Sequence, residues 1–199
     1  MMRGTLHLVV GPSGVGKDTL IAAARAVRPD LIVPTRLVTR PAGPGEDHEP
    51  VSEGEFARRA ALGAFALHWR AHGLAYGIPR GVETALAAGR HVMINVSRAV
   101  VAEARERFAP VRILALTAAP EIRARRIAGR GRESEAEIAA RLRRTAPALP
   151  QGPDVHVVDN GGALDDALAA FLAALAPAPA EARAAAAPSS AAPLTRSPA

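Results

Sequence analysis

The clearest chemical signal in the chain is a glycine-rich stretch that ends in the chain's single lysine. It reads Gly-Pro-Ser-Gly-Val-Gly-Lys over residues 11–17 and has the spacing G-x-x-x-x-G-K. Such a loop curls so that successive backbone N–H groups point at phosphate oxygens, and the lysine adds a compact positive charge. The alternative is a glycine-rich turn that binds nothing. We predict that ATP binds to Gly11, Pro12, Ser13, Gly14, Val15, Gly16, Lys17, Asp18 and Thr19.

The residue after the lysine departs from the usual motif. A serine or threonine stands there in most such loops and binds Mg²⁺ through its hydroxyl group, whereas this chain has Asp18 followed by Thr19. A carboxylate is a charged oxygen ligand for the same cation, directly or through water. Asp18 is therefore a candidate magnesium ligand. The alternative is that it only stabilises the start of a helix through the helix dipole.

The elements around the loop predict the fold class. An apolar run over residues 5–10 predicts a strand before the loop, and an Ala- and Leu-rich stretch over residues 18–27 predicts a helix after it. Strands that alternate with helices form a parallel sheet covered on both faces. We therefore predict an α/β fold with three layers, α/β/α, around a parallel central sheet. Further strands are predicted at residues 31–38, 91–96, 111–117 and 155–158, and further helices at residues 81–88, 98–108, 120–128 and 164–175.

Other local signals set the domain limits. Two helix starts carry a capping box, Ser52 with Glu55 and Ser134 with Glu137. Between them, residues 65–76 predict a small β insertion. After residue 176 the chain consists mainly of Pro, Ala and Ser. We predict one folded domain over residues 1–176 and a disordered tail over residues 177–199.

Composition limits the classes of function. The 199 residues include no cysteine, which excludes a disulfide scaffold, a thiolate metal site and a cysteine nucleophile. No apolar run reaches the roughly 20 residues that cross a bilayer, and the N-terminus lacks a signal-peptide pattern. We expect a cytoplasmic protein with no membrane partner. All but one of the 25 basic residues are arginines spread along the chain, so we expect no nucleic-acid partner. The oligomeric state is open, with a homodimer as one alternative.

Several further motifs follow the loop along the chain. They are Thr39-Arg40-Pro41 with Gly45-Glu46, Val51-Ser52 with Glu55-Phe56, the segment 63–77 and the Arg-rich residues 126–133. Together with the loop, their order resembles that of guanylate kinases over about residues 6–175. The resemblance implies a P-loop kinase core, an acceptor-binding insertion over about residues 36–80 and a mobile Arg-rich lid over about residues 127–137.

Three residues differ from the guanylate kinase pattern, at positions that the resemblance assigns to binding of GMP and of Mg²⁺. A glutamate that reads the guanine edge is replaced by Leu67, and a phosphate-binding tyrosine is replaced by His48. A site built to hydrogen-bond a base loses discrimination steeply when its partners are removed. A magnesium-supporting aspartate is replaced by Asn95. Because Asp18 supplies a new carboxylate, we predict that Asp18 and Asn95 together form the metal site.

Another set of motifs includes two of these residues, His48 and Asn95. They are Gly-Lys-Asp in the loop, Gly45-Glu46-Asp47-His48, Trp69-x-x-His72-Gly73-x-x-Tyr76-Gly77 and Asn95-x-Ser97-Arg98. This set is similar to ribose 1,5-bisphosphate phosphokinases, a family associated with phosphonate breakdown. The resemblance implies that ATP phosphorylates the 1-phosphate of ribose 1,5-bisphosphate, which gives 5-phosphoribosyl 1-diphosphate and requires no base recognition.

Phosphoryl transfer depends on positioning and on neutralising charge. The acceptor phosphate is already ionised, so we predict no catalytic histidine. The alternative for the arginines is an Arg-rich solvated turn, which we favour for Arg123 and Arg125. The predicted catalytic residues are Lys17, Arg126, Arg130, Arg132 and Arg141. The predicted substrate contacts are Arg36, Arg40, Glu46, Asp47, His48 and Tyr76.

Two other functions remain as alternatives. One is a nucleoside monophosphate kinase of the guanylate type, which would need an acidic base-reading residue in place of Leu67. The other is a non-catalytic guanylate kinase-like module that binds a peptide. Such modules usually lose the loop lysine and the lid arginines, and this chain keeps both. We interpret Trp69 as a core residue, since a substrate without a base offers it little to stack on.

Overall fold

The computed structural model describes residues 3–43, 47–129 and 148–177. Several predictions concern residues beyond these ranges and are not addressed by the structure. They are the substrate contact Glu46, the catalytic Arg130, Arg132 and Arg141, the capping box of Ser134 with Glu137, most of the lid and the tail from residue 178. Within the described ranges, none of the helices has the length and apolar character needed to span a membrane.

Strands and helices alternate along most of the chain, as the sequence predicts. In chain order the elements are β1 (Leu6–Val10), α1 (Lys17–Val27), β2 (Arg36–Val38), β3 (His48–Pro50), α2 (Glu53–Ala61), β4 (Phe65–Ala71), β5 (Leu74–Pro79), α3 (Gly81–Ala87), β6 (Val92–Asn95), a short 3₁₀ turn (Arg98–Val100), α4 (Val101–Arg107), β7 (Val111–Thr117), α5 (Pro120–Ala128), β8 (Val155–Asp159) and α6 (Leu164–Ala173).

The central sheet contains four parallel strands in the order β6-β1-β7-β8. In β1, Leu8 pairs with Ile94 on one side and with Ile113 on the other. All five residues of β1 are buried. Because successive side chains of a strand point to opposite faces, this central strand has an apolar layer on each side.

The two apolar layers differ in what covers them. Leu8 lies in a buried cluster with residues of α3, α4 and the β4–β5 pair, whereas its neighbour Val9 packs in a second cluster with residues of α1 and α6. Helices therefore cover both faces of the parallel sheet, and the predicted α/β fold is confirmed.

A second sheet follows the order β3-β2-β5-β4. Strands β4 and β5 form an antiparallel hairpin whose two connecting residues, His72 and Gly73, both have positive φ angles of 54° and 74°. Such a two-residue turn matches the twist of the paired strands. This hairpin is the β insertion that the sequence predicts. At the predicted start of α2, the Oγ atom of Ser52 accepts a hydrogen bond from the backbone N–H of Glu55 (3.1 Å).

The prediction of one strand over residues 31–38 is wrong. Only Ile32 makes a bridge to the central sheet, opposite Val92, and Arg36–Val38 instead forms β2 in the second sheet. Pro34 lies between the two segments and has no backbone N–H to donate to a sheet. The chain therefore leaves the central sheet at this proline, which carries Arg36 to the second sheet.

Two buried histidines hold the C-terminal segment at the end of the sheet opposite the glycine-rich loop. The Nε2 atom of His7 accepts a hydrogen bond from the backbone N–H of Ala176 (3.1 Å). The Nε2 atom of His91 donates one to the carbonyl oxygen of Pro177 (2.7 Å). Pro177, which composition assigns to the tail, is therefore bound to the domain.

Candidate active site

The glycine-rich loop connects β1 to α1 and requires glycine at its turns. Gly14 and Gly16 have φ angles of +78° and +90°, which side-chain-bearing residues rarely adopt. A Cβ atom on Gly16 would lie 2.5 Å from the Nδ2 atom of Asn160. Helix α1 begins immediately afterwards at Lys17, so its N-terminal N–H groups and its positive dipole end face the loop.

Lys17 folds back over the loop. Its Nζ atom donates hydrogen bonds to the carbonyl oxygens of Gly11 (2.8 Å) and Pro12 (3.2 Å). This arrangement puts the ammonium group beside the backbone that would surround a phosphate. Of the nine residues predicted to bind ATP, seven line one cleft; Val15 is fully buried beneath the loop and Thr19 is exposed outside the cleft.

Two side chains support the loop from behind. Asn160 is buried and donates a hydrogen bond from Nδ2 to the carbonyl oxygen of Val15 (2.7 Å). Arg126 donates from one terminal nitrogen to the carbonyl oxygens of Asn160 (2.7 Å) and Val15 (3.4 Å). In this arrangement Arg126 contacts the loop backbone and does not line the cleft. Its predicted contact with the reacting phosphate remains a prediction.

The two predicted metal residues are in contact. The Nδ2 atom of Asn95, at the end of β6, donates a hydrogen bond to the Oδ1 atom of Asp18 in the first turn of α1 (2.7 Å). The described part of the chain contains no cluster of three or more His, Cys, Asp or Glu residues that could hold an ion. Mg²⁺ usually keeps several waters and binds one or two carboxylates together with substrate phosphates. One oriented carboxylate beside a phosphate loop fits that requirement.

A cleft of about 600 Å³ opens in front of the loop. Its walls come from the loop, from α1, from the end of β6 and from the second sheet. The structure brings every described member of the predicted substrate set to this cleft. These residues are Arg36, Arg40, Asp47, His48 and Tyr76.

Hydrogen bonds connect the cleft residues of the second sheet to one another and to β6. Arg36 in β2 pairs in register with His48 in β3. Arg36 donates a hydrogen bond to the carbonyl oxygen of Asn95 (3.3 Å), and the Nε2 atom of His48 donates one to the carbonyl oxygen of Arg40 (3.3 Å). His48 is buried. These contacts fix the second sheet against the end of β6, where Asp18 and Asn95 meet.

An aromatic pair forms another part of the cleft wall. Trp69 and Tyr76 lie opposite each other on the hairpin, and their rings stack at 5.2 Å with an angle of 6° between the planes. Trp69 belongs to the apolar core with 8% of its surface exposed, as predicted, and it also lines the cleft.

Leu67 does not line the cleft. Its side chain is fully buried in the apolar cluster between the second sheet and the central sheet. A leucine in that position offers no hydrogen-bond acceptor to a base, and no surface for one. Among the described residues, the acceptor side of the cleft therefore has arginines and a histidine, and residue 67 supplies no carboxylate to it.

Three arginines of the cleft were not predicted from the sequence as site residues. Arg25 lies two turns after Lys17 on α1, and Arg98 follows β6 within the quoted Asn95-x-Ser97-Arg98 motif, which was the only signal for it. Arg123 was interpreted as a solvated arginine, but the structure puts it on the cleft wall. Six cationic side chains and two carboxylates among the described residues line the cleft, which favours a polyanionic ligand. They are Lys17, Arg25, Arg36, Arg40, Arg98 and Arg123, with Asp18 and Asp47.

Solved structures with a similar fold are kinases. A guanylate kinase from Anaplasma phagocytophilum superposes with a TM-score of 0.62 at 20% identity, covering 92% of this chain and 87% of that one. A gluconokinase from Sinorhizobium meliloti 1021 gives a TM-score of 0.50 at 19% identity, covering 87% and 91%. At this identity the likeness shows the fold, which is that of guanylate kinase-like P-loop kinases.

Sequence relatives are closer. The chain is 54% identical over 175 residues to the ribose 1,5-bisphosphate phosphokinase PhnN of Acidiphilium cryptum (strain JF-5), covering 86% of this chain and 92% of the relative. It is 49% identical to the PhnN of Ruegeria sp. (strain TM1040), covering 83% and 88%. It is 48% identical to that of Methylobacterium radiotolerans, covering 87% and 98%.

No protein-family profile matches the chain. The relatives nevertheless share about half of their residues with it over most of their length. The chain is a phosphotransferase and belongs to the ribose 1,5-bisphosphate phosphokinase family.

Proposed function

We propose that the protein transfers the γ-phosphoryl group of ATP to the 1-phosphate of ribose 1,5-bisphosphate, giving 5-phosphoribosyl 1-diphosphate and ADP. One observation carries the proposal. The cleft joins a nucleotide phosphate loop to an arginine-lined acceptor side whose base-reading position, Leu67, is buried in the core. The names of the relatives support the same reaction. The family resemblance links this step to phosphonate breakdown.

On the donor side, the loop N–H groups and the N-terminus of α1 would surround the β-phosphate of ATP. Lys17 would neutralise the charge that develops on the oxygen between the β- and γ-phosphorus atoms. Asp18 would hold Mg²⁺, with Asn95 fixing the direction of the carboxylate through their 2.7 Å hydrogen bond. When bound, Mg²⁺ supplies further neutralisation of the phosphate charges.

On the acceptor side, the substrate brings two phosphates and several hydroxyl groups. Arg36 and Arg40 present planar guanidinium groups that bind phosphate with two parallel hydrogen bonds. Asp47 would accept hydrogen bonds from ribose hydroxyls, and Tyr76 would donate one to a phosphate oxygen. The proposed substrate contacts also include His48. They include Glu46 as well, which lies outside the described residues.

The chemical step forms one bond and breaks one. An ionised oxygen of the 1-phosphate forms a bond to the γ-phosphorus atom, and the bond from that atom to the β,γ-bridging oxygen breaks, so that ADP leaves with the electron pair. No proton has to be removed from the attacking oxygen, so no general base is required. We propose that Arg126, Arg130, Arg132 and Arg141, in or near a lid over about residues 127–137, neutralise the transferring group.

The partners in this reaction are the small molecules ATP and ribose 1,5-bisphosphate, without a nucleic acid. The proposed place of the reaction is the cytoplasm, which supplies ATP. We assign the catalytic domain to about residues 1–176, with the acceptor insertion at about residues 36–80.

The test compares acceptors at equal concentration with ATP and Mg²⁺. We expect rapid ADP release with ribose 1,5-bisphosphate, slow release with GMP, and background without acceptor. Phosphorus NMR of the product should show a new diphosphate. Equal rates with GMP would support the guanylate-type kinase instead. No turnover with either acceptor would support the non-catalytic module.

A further inference from the structure

Two arginines from separate elements of the fold stand on the wall of the cleft. Arg98 begins the 3₁₀ turn that follows β6, and Arg123 lies in the first turns of α5, which follows β7. Both line the same cleft as the loop residues Ser13 and Gly14. Neither has a role in the function proposed above.

The strand order puts these arginines on opposite sides of the loop. Strands β6 and β7 flank β1 in the central sheet, and the loop leaves the end of β1. In a parallel sheet the chain segments that follow neighbouring strands emerge at the same edge. Arg98 therefore approaches the loop from the β6 side, and Arg123 approaches it from the β7 side.

Arg123 also touches the loop through its backbone. A Cβ atom on Gly14 would lie 2.7 Å from the carbonyl oxygen of Arg123, so the start of α5 packs directly on the loop. The Nε atom of Arg123 is buried and has no hydrogen-bond partner among the described residues. Buried donors in folded proteins are nearly always hydrogen-bonded. The guanidinium group of Arg123, on the cleft wall, therefore has hydrogen-bonding capacity that the described residues do not use.

The electrostatic surroundings of the pair favour an anion. Burial is the main cause that lowers the pKa of Arg98 below its ordinary value, and the positive charge of Arg123 lowers it further. Both causes make the charged form of Arg98 less favourable. A polyanion that lay between the two guanidinium groups would reverse both effects, because it would supply hydrogen bonds and opposite charge.

We propose that Arg98 and Arg123 bind the terminal phosphate of ATP from the two sides of the loop. The inference rests on the proposed function in taking ATP as the donor. The loop and Lys17 surround the inner phosphates, and the terminal phosphate projects beyond them towards the acceptor. The pair thus binds the one phosphate that ATP has and ADP lacks, so it favours the donor over the spent nucleotide.

The test measures binding of ADP and of β,γ-imido-ATP, an ATP analogue that is not cleaved, by calorimetry with Mg²⁺. In Arg98→Gln and in Arg123→Gln, we expect affinity for the analogue to fall about tenfold or more, since each loses charge-assisted hydrogen bonds. Affinity for ADP should change by less than about twofold. Arg125→Gln is the matched control, because Arg125 is an exposed arginine on the same helix that does not line the cleft. It should leave both affinities unchanged.

A second readout separates phosphate binding from a structural role. Without nucleotide, Arg123→Gln should not lower the melting temperature, because it removes a buried donor without a hydrogen-bond partner among the described residues and a positive charge close to Arg98. A lower melting temperature together with equal losses for both nucleotides would overturn the proposal. If a Gln variant does not fold, the corresponding Lys variant keeps the charge but loses the planar fork. A selective loss for the analogue then supports the proposal, and no loss overturns it.

Other outcomes distinguish this proposal from the proposed function. Unchanged affinity for both nucleotides in both Gln variants would overturn the role of the pair and leave the reaction intact. Weakened binding of ribose 1,5-bisphosphate alone would also overturn it, because the pair would then hold the acceptor. Wild-type protein that bound neither nucleotide would overturn the pair and the kinase reaction together.

Discussion

Asn95 donates a hydrogen bond of 2.7 Å to Asp18, and this contact joins the end of β6 to the first turn of α1. An amide opposite a carboxylate lets the two side chains approach closely, whereas two carboxylates at this distance would repel each other. The contact also fixes one oxygen of Asp18, which orients its carboxylate at the edge of the phosphate loop. The replacement of an aspartate by Asn95 and the appearance of Asp18 are therefore structurally complementary.

If Asp18 holds Mg²⁺, Asp18→Asn should raise the Mg²⁺ concentration needed for half-maximal activity by about tenfold or more, since a charged oxygen ligand is lost. The measurement is a Mg²⁺ titration of the initial rate at saturating ATP. If Asp18 only interacts with the helix dipole, the variant should lose about 0.3–1 kcal/mol of stability. Its Mg²⁺ titration would then match that of the wild type.

Lys17→Ala should lower the rate by about 10²–10³-fold, because the lost charge stabilises the transferring phosphate. The fold should survive, since the hydrogen bonds of the Nζ atom to Gly11 and Pro12 lie in the loop and not in the apolar core. Lys17→Arg should also fail, because the ammonium group lies 2.8 Å from the carbonyl of Gly11 and leaves little room for a guanidinium group. Rates and circular dichroism of the three proteins check this. Turnover of Lys17→Ala above a tenth of wild type would contradict the assignment.

The phosphate loop and the central sheet could be predicted because their signals are local. The loop motif is contiguous, and the apolar runs around it fix β1 and α1 to within a residue or two. The strand over residues 31–38 failed because one apolar run serves two sheets. The apolar pattern does not show that the chain leaves the central sheet after Ile32 and joins the second sheet at Arg36.

The cleft arginines were harder to predict because arginine is abundant along the whole chain. Arg98 and Arg123 are distant in sequence, and apart from the Asn95-x-Ser97-Arg98 motif neither position differs in local pattern from a solvated arginine. Their placement follows from the strand order β6-β1-β7, which the sequence does not state. Arg36 and Arg40 could be predicted as substrate contacts because they lie in the acceptor-binding insertion that the resemblance implies, and the structure puts both on the cleft wall.

Leu67→Glu should not create efficient GMP phosphorylation. Residue 67 is fully buried in the apolar core, so the new carboxylate would be buried without a partner. We expect a stability loss of about 3 kcal/mol or more, measured by urea unfolding, and no gain in GMP turnover. Leu67→Met is the matched control, since a volume-conserving change usually costs less than about 1.5 kcal/mol. Efficient GMP turnover by a stable Leu67→Glu protein would show that residue 67 reaches the substrate.

His7 should make the protein less stable in mild acid. Burial, together with the positive surroundings of His91, Arg112 and Arg28, lowers the pKa of His7 from 6.5 to about 3. Between these values the unfolded chain binds a proton that the folded protein does not. The free energy of unfolding is therefore unaffected above pH 6.5 and falls by up to about 1.4 kcal/mol per unit as the pH drops from 6.5 towards 3.

Urea unfolding of the wild type and of His7→Gln at pH 7.5, 6, 5 and 4 measures this contribution. Glutamine can still accept the hydrogen bond from Ala176 but does not titrate. The free energy of unfolding should change less steeply with pH in the variant, and the difference in slope should correspond to about one bound proton. Acidic groups such as Asp30 contribute equally to both proteins. Identical slopes would show that His7 does not titrate in this window.

Two truncations should separate the tail from the docked C-terminal segment. Removing residues 178–199 should leave the melting temperature and the activity unchanged, because a Pro/Ala/Ser segment buries little apolar area. Removing residues 174–199 also removes the contacts of His7 and His91, two further hydrogen bonds and the buried side chain of Leu175. Those two bonds run from Arg28 to the carbonyl of Ala176 (3.3 Å) and from Arg112 to that of Ala174 (3.0 Å).

At about 1 kcal/mol for each of these four hydrogen bonds and about 2 kcal/mol for the leucine, the longer truncation should cost about 6 kcal/mol. For a domain of this size that corresponds to a fall of roughly 10 °C or more in the melting temperature. Calorimetry of the two truncated proteins beside the full chain provides the comparison. A fall of several degrees after removal of residues 178–199 alone would mean that part of that segment also packs on the domain.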